Sequence, residues 1–457
     1  MKVVHANKKQ KGAQSGATTF VAIEMVDALI SGSEGYPCYR IPALLRLPTT
    51  GLVMLFAEGR RGGDRGANDI IYKSSDNDGL SWSPLKVLHS EFEPPGHSWH
   101  AYSKNATFNA TQKKFWVRDG FFDRGHDWVA ARNMTLSAAV NLCSSDDSCF
   151  GFTFNDYDSE PPPTKLVNIA FKRAGVGFSA TPYGWGPTIH NPCPVAVGGR
   201  ALVVFARNSH NLLVMRALDD AATSWSAPID ITKMVFNKSE VSNTVPGPGA
   251  GVVIARPDGG QRIVVPLAGP FPDGHGGGAI LSDDDGLTWR LSGRANPKGG
   301  EAQVALAPNG SLLLNSRGPA QGVRWQSVSD DAGLTWSAPR ILDFGFGSSC
   351  EGSIVRVPDT PKMLFSHPGR VHNKYNRWNM TVWQSSDSGE TWQAIEQVER
   401  GLNDTRMSQL HTAYSALLVL GHSNKVALAY ERGPMPGSHW PVPSKCGEYA
   451  TIRWRVV

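Results

Sequence analysis

The chain has 457 residues, 48 of them glycine and 31 proline, and a formal net charge of +5. So small an excess of positive charge is not a nucleic-acid signal; it suits an acidic substrate without demanding one. No stretch reaches the roughly 18 apolar residues of a membrane span, and abundant turn residues without long helical periodicity mark an all-β chain.

Residues 1–19 read as a tail, and the main domain as 20–457. The tail is Lys-rich and has no apolar core of the secretory-signal kind. Seven Asn-x-Ser/Thr sequons, at Asn105, Asn109, Asn133, Asn237, Asn309, Asn379 and Asn403, point instead to a lumenal, lysosomal or secreted protein. The two signals conflict and leave the compartment open, the cytoplasm included. Apolar runs such as Leu52–Ala57 and Gln261–Pro266 read as buried strands between turns.

One phrase recurs. It reads Ser75-Asp76-Asn77-Asp78-Gly79-Leu80-Ser81-Trp82, and returns at Ser282–Trp289, Ser329–Trp336 and Ser385–Trp392 as Ser-x-Asp-x-Gly-x-Thr-Trp. A decayed copy ends at Trp225, with Asp220 and Ser224 kept and Ala222 in the glycine's place. The Asp or Asn side chain accepts bonds from turn N–H groups. Gly supplies a positive φ, and Trp anchors the hairpin on its sheet. Such a repeat is the signature of a propeller or solenoid array. Successive Trp residues from Trp225 onward lie about one blade apart, but Trp82 to Trp225 is too long for one blade. An insertion at about 105–180 accounts for the excess. Within it, Leu136–Phe154 reads as a short helix leading to Cys143 and then a strand. Of the six cysteines, most read as isolated buried thiols. For Cys143 and Cys149 a disulfide and two free thiols both stay open.

The repeated phrase is the Asp box, and the chain resembles the exo-α-sialidase (neuraminidase) family of six-bladed β-propellers over nearly all of its length. The resemblance implies an all-β, six-bladed propeller with a small insertion in its first half. It also implies a site. Arg40 in Tyr39-Arg40-Ile41-Pro42 looks like the family's Arg-Ile-Pro motif. Glu301, opening one strand, and Arg317, closing the next, resemble the family's Glu/Arg hairpin. Arg377, ahead of the fourth box, matches the third arginine, with Arg370 as its rival in the same loop. Asp64 follows Arg60 as the family's loop aspartate does, and Asp69 is the alternative. Arg60, or less directly Arg61, steers the substrate or orients Asp64. Tyr414, before an apolar strand and the pair Tyr430-Glu431, matches the family's nucleophile. Asn191-Pro192 looks like the turn below the acetamido pocket, and Gly247-Pro248-Gly249 like the segment before the third blade's hairpin. Two departures stand out: Val265–Pro270 lacks aromatic residues found in some animal relatives, and Glu351 stands where some relatives have Gln.

These residue types fit the chemistry the resemblance implies. Sialic acid carries a carboxylate at its anomeric carbon, and a partly buried carboxylate favours guanidinium partners. A neutral phenol escapes the repulsion that a carboxylate nucleophile meets there. Tyr414 would attack, Glu301 would take its proton, and Asp64 would serve as acid and then base. The scheme needs no metal or organic cofactor. The expected partner is a sialylated glycan on a glycoprotein, glycolipid or oligosaccharide. A trans-sialidase, a hydrolase for the deaminated sugar, or a non-catalytic glycan-binding propeller are the competing readings. A lectin needs the arginines but not Tyr414, Glu301 and Asp64 together.

Overall fold

The computed structural model describes residues 25–61, 67–91, 98–103, 117–119, 121–122, 132–145, 149, 151–156, 166–172, 178–179, 188–256, 258–297, 299–318, 323–342, 350–369, 377–398, 412–421, 424–433 and 451–457. Six antiparallel sheets form the blades of a β-propeller. The first blade runs from its innermost strand outward through Cys38–Arg46, Val53–Arg60, Asn68–Ser75 and Lys86–His89. The innermost strands of the second to sixth blades include Ile189–Val197, Val252–Ala255, Ala302–Leu306, Ser353–Arg356 and Thr412–Leu420. The sixth blade is completed by Met25–Leu29, which pairs with Thr451–Val456. That non-local strand closes the ring. It also takes the place of a third-to-fourth-strand hairpin, so the sixth blade has no position for a box.

The strands are apolar on both faces because each blade is sandwiched between two others. In Val53–Arg60 the side chains alternate. Val53, Leu55 and Ala57 pack with Ala427 and Trp454 of the sixth blade, while Met54 and Phe56 pack with Val203 and Phe205 of the second. The same division occurs at Leu312 and Leu313, and at Leu364 and Phe365. Six apolar clusters, one per blade interface, thus form the core.

The boxes are the latches between blades. In all four, the Ser hydroxyl accepts the Gly N–H at 2.8 Å. Box residues dock on the preceding blade: Arg262 donates to the Ala332 carbonyl at 3.1 Å and Gln326 to the Gly389 carbonyl at 3.0 Å. The decayed copy corrects the sequence reading. Asp219, not Asp220, accepts the turn N–H groups of Ala221, Thr223 and Ser224, and Asp220 pairs outward with Arg200. One extra residue before Trp225 shifts the register, and Ala222 takes up the positive φ of 51°.

Residues 98–172 contain a separate five-stranded sheet, whose first strand, Ser98–Ser103, lies ahead of 105. The helix Leu136–Ser145 and strand Gly151–Asp156 belong to this segment. Cys143 and Cys149 are bridged. Cys38 is also disulfide-bonded, against the expectation of an isolated thiol; Cys193 and Cys350 are free and buried. No helix among the described residues is long and apolar enough to cross a membrane.

Gly79 has φ 85° and its missing Cβ would lie 2.2 Å from the Trp454 ring. Gly79→Ala is expected to cost about 3 kcal/mol, left-handed strain plus overpacking. Gly310→Ala, at φ 93° but facing open space, should cost only about 1 kcal/mol. Urea unfolding midpoints of the two variants check the difference.

Candidate active site

The site lies where the innermost strands begin. Three of them carry a bulge there, with two residues set against one on the next strand. These are Ile41-Pro42, Asn191-Pro192 and Ala413-Tyr414. Ile41 and Asn191 stand at φ 58° and 57°, conformations that an Ile adopts only under constraint. Pro42 and Pro192 fit because a bulge leaves an unpaired position that needs no N–H.

Buried carboxylates take up the N–H groups that the bulges remove from the ladder. Glu431, wholly buried, accepts Ile41 N–H at 2.8 Å through Oε1 and Tyr414 N–H at 3.2 Å through Oε2. The same Oε1 accepts Arg40 Nε at 2.7 Å. Glu58, also wholly buried, accepts Asn191 N–H at 2.9 Å and holds Arg60 through Nε and Nη2, each at 2.7 Å. Glu351 accepts Ser415 N–H at 3.2 Å and the Gln303 amide at 2.9 Å. It therefore ties the strand of Tyr414 to the strand that follows Glu301.

The sequence-predicted residues come together around one phenol. Tyr414, 6% exposed, donates its hydroxyl hydrogen to Glu301, whose two oxygens lie at 2.8 and 2.7 Å. Arg317 donates to Tyr414 Oη at 3.1 Å and pairs with Glu301. The guanidinium carbons of Arg40 and Arg377 lie 5.3 and 5.5 Å from the Tyr414 ring centre. These residues are far apart in the sequence; strands of the first, fourth and sixth blades carry Arg40, Arg317 and Tyr414, and Arg377 directly precedes the fifth-blade strand Trp378–Ser385. Asn191 is buried below, its side-chain amide donating to the Pro246 carbonyl at 3.2 Å. Asp64 and Arg370 lie outside the described residues.

Charge follows from burial. Burial and the Glu301 charge push the Tyr414 phenol well above its ordinary pKa, against Arg317 and Arg377. Burial also works upward on Glu301, but Arg317, the Tyr414 hydrogen bond and Arg377 outweigh it and hold the carboxyl below its usual range. The resting pair is therefore a neutral phenol donating to a carboxylate, the protonation state in which a proton transfer from Tyr414 to Glu301 starts. Among the described residues no cluster of His, Cys, Asp and Glu is arranged to hold a metal.

Sequence reasoning missed the tasks of Glu58, Glu431 and Glu351. The available signal was an acidic residue in an apolar strand, Ala57-Glu58 and Tyr430-Glu431, where an unpaired charge is not tolerated.

The fold and site define an Asp-box propeller with a cationic centre. Residues 184–426 match the family described as BNR repeat-like domain, and the chain belongs to that family. A sialidase of Bacteroides fragilis is 32% identical over 197 residues, 41% of this chain and 34% of its own length. A sialidase of Micromonospora viridifaciens is 30% identical over 386 residues, 80% of this chain and 47% of its own. A solved structure of Trypanosoma rangeli sialidase with 2,3-difluorosialic acid, described as a covalent intermediate, aligns with a TM-score of 0.56 at 15% identity, over 94% of this chain and 58% of that one. The chain spans about a third to a half of the length of the first curated relatives it matches.

Glu431→Ala would remove the carboxylate that Arg40 Nε and two bulge N–H groups share. The expected loss of folding stability is about 3 kcal/mol, as for one partner removed from a buried ion pair. Chemical denaturation of the variant measures it.

Proposed function

We propose that the chain is a hydrolytic exo-α-sialidase that releases terminal α-linked sialic acids with net retention. The observation that carries this reading is the Tyr414–Glu301 hydrogen bond at 2.7–2.8 Å beneath Arg40, Arg317 and Arg377. A pocket built only to bind would need the arginines but not a phenol coupled to a base. The sialidase relatives, and the covalent intermediate described for the Trypanosoma rangeli enzyme, support the same reading.

In this mechanism the three arginines take the sialic acid carboxylate and hold the anomeric carbon over Tyr414. The phenolic oxygen attacks that carbon while its proton passes to Glu301. The glycosidic bond breaks, and the departing oxygen takes a proton from Asp64. Asp64 then removes a proton from water, the water oxygen attacks the anomeric carbon, and the bond to Tyr414 breaks. Glu301 returns the proton to the phenol. Two displacements at one carbon restore its configuration. The arginines also balance charge as the oxocarbenium-like transition state forms. Asp69 does not compete with Asp64 in this scheme, because its carboxylate is buried and engaged with Tyr36 and Ser90. Arg60, held by Glu58, serves as a fixed positive charge beside the substrate.

Tyr414→Phe should keep binding of a sialic acid analogue while kcat falls by several powers of ten, each about 1.4 kcal/mol of barrier. A fluorinated sialosyl fluoride should label Tyr414, seen by peptide mapping; a label elsewhere, or NMR detection of the inverted sugar as first product, would falsify the mechanism.

The depressed Glu301 carboxyl gives a pH prediction. As the proton acceptor it must be ionised, and its pKa lies below the ordinary value of about 4.3. The acid limb that it contributes to kcat/KM should therefore fall below about pH 4.3. Glu301→Gln should remove that limb and lower kcat by about 10²–10⁴-fold. A pH–rate series on both proteins tests it.

A further inference from the structure

Asp69 is the least explained acidic group near the site. It is wholly buried at the start of the strand Asn68–Ser75. Oδ2 accepts the Tyr36 hydroxyl at 2.5 Å and also a hydrogen bond from Arg61 Nη2; Oδ1 accepts the Ser90 hydroxyl at 2.6 Å. The guanidinium carbon of Arg61 lies 5.0 Å from the centre of the Tyr36 ring. Tyr36 in turn lies against Gly59, where a Cβ would come within 2.7 Å of its ring. Three donors from three separate segments thus converge on one carboxylate.

The placement of these groups matters more than their number. Arg61 is the last described residue before positions 62–66, and Asp69 stands just after them. The Arg61 N–H also donates to the Ala67 carbonyl at 3.0 Å. The ion pair and this backbone bond together fasten the two stems of the segment that carries Asp64. Its sequence, Gly62-Gly63-Asp64-Arg65-Gly66, has three glycines in five positions and imposes few steric restrictions of its own. A buried carboxylate is costly unless fully paired, so a clamp of this composition has one low-energy arrangement and holds the stems in it.

We infer that Asp69, with Tyr36, Arg61 and Ser90, is a positioning clamp that sets the reach of Asp64 to the leaving-group oxygen. This rests on the assignment of Asp64 as the acid. Misplacing a catalytic group by about 1 Å costs on the order of 10²-fold in rate. The loss should appear only where leaving-group protonation limits the rate.

The test compares a sialyl-galactoside, which needs its leaving group protonated, with a nitrophenyl sialoside, which does not. Wild type, Asp64→Asn, Asp69→Asn and Tyr36→Phe are assayed on both, with thermal melts to establish folding. Asp64→Asn should lose about 10²-fold or more in kcat/KM on the galactoside and under about tenfold on the aryl substrate. Asp69→Asn should show the same discrimination, about tenfold or more, and Tyr36→Phe a smaller one in the same sense. If Asp69→Asn does not fold, Tyr36→Phe decides. Discrimination by Asp64→Asn with equal losses on both substrates for the clamp variants overturns the clamp alone. No discrimination by Asp64→Asn overturns the acid assignment, and the clamp with it. No turnover of either substrate by wild type overturns both.

Discussion

The site depends on a recurring bond, a buried carboxylate accepting the N–H of a bulged inner strand. A bulge frees a backbone N–H, and a free N–H in a dry interior costs about as much as a lost hydrogen bond. Here the acceptor comes from an adjacent blade: Glu431 of the sixth blade reaches Ile41 of the first, and Glu58 of the first reaches Asn191 of the second. Each carboxylate needs its own counter-charge, and the nearest are Arg40 and Arg60. Backbone geometry, blade order and arginine placement are thereby one problem with one solution.

That arrangement explains how a set of like charges is tolerated near the axis. Arg40, Arg317 and Arg377 surround a single phenol, and their repulsion is offset by Glu431 and Glu301. The same offset holds Glu301 ionised while burial keeps Tyr414 neutral. The site therefore holds a hydrogen bond already directed from the Tyr414 phenol to the Glu301 carboxylate. Under the proposed function, an arriving carboxylate would meet guanidinium groups whose orientation has been set beforehand, which is how preorganisation lowers the cost of binding.

Further out, the boxes and the strand from Met25 to Leu29 make the ring rigid enough to hold this geometry. A box docks on the preceding blade through a side-chain donor, and the closing strand joins the two ends of the described chain within one sheet. The closure has a direct effect on the site. It places the sixth blade, with Tyr414 and Glu431, beside the first, with Arg40.

Much of this was legible in the sequence because it is local. The boxes announce turns and anchors within eight residues each, and alternating apolar runs announce strands buried on both faces. Motif resemblance named Arg40, Glu301, Arg317, Arg377 and Tyr414, which the structure brings together. Local signals also misled: Asp220 has the regular spacing from Trp225, but the turn closes on Asp219, and Cys38 is bonded rather than isolated. What the sequence by itself determined was the blade repeat and the set of residues that meet around Tyr414, because both are written in short contiguous phrases. Only the tertiary structure decided the tasks of Glu58, Glu431, Glu351 and Asp69. Their partners lie 133, 390, 64 and 33 residues away, and such contacts exist only once the ring has closed and its interior has excluded water.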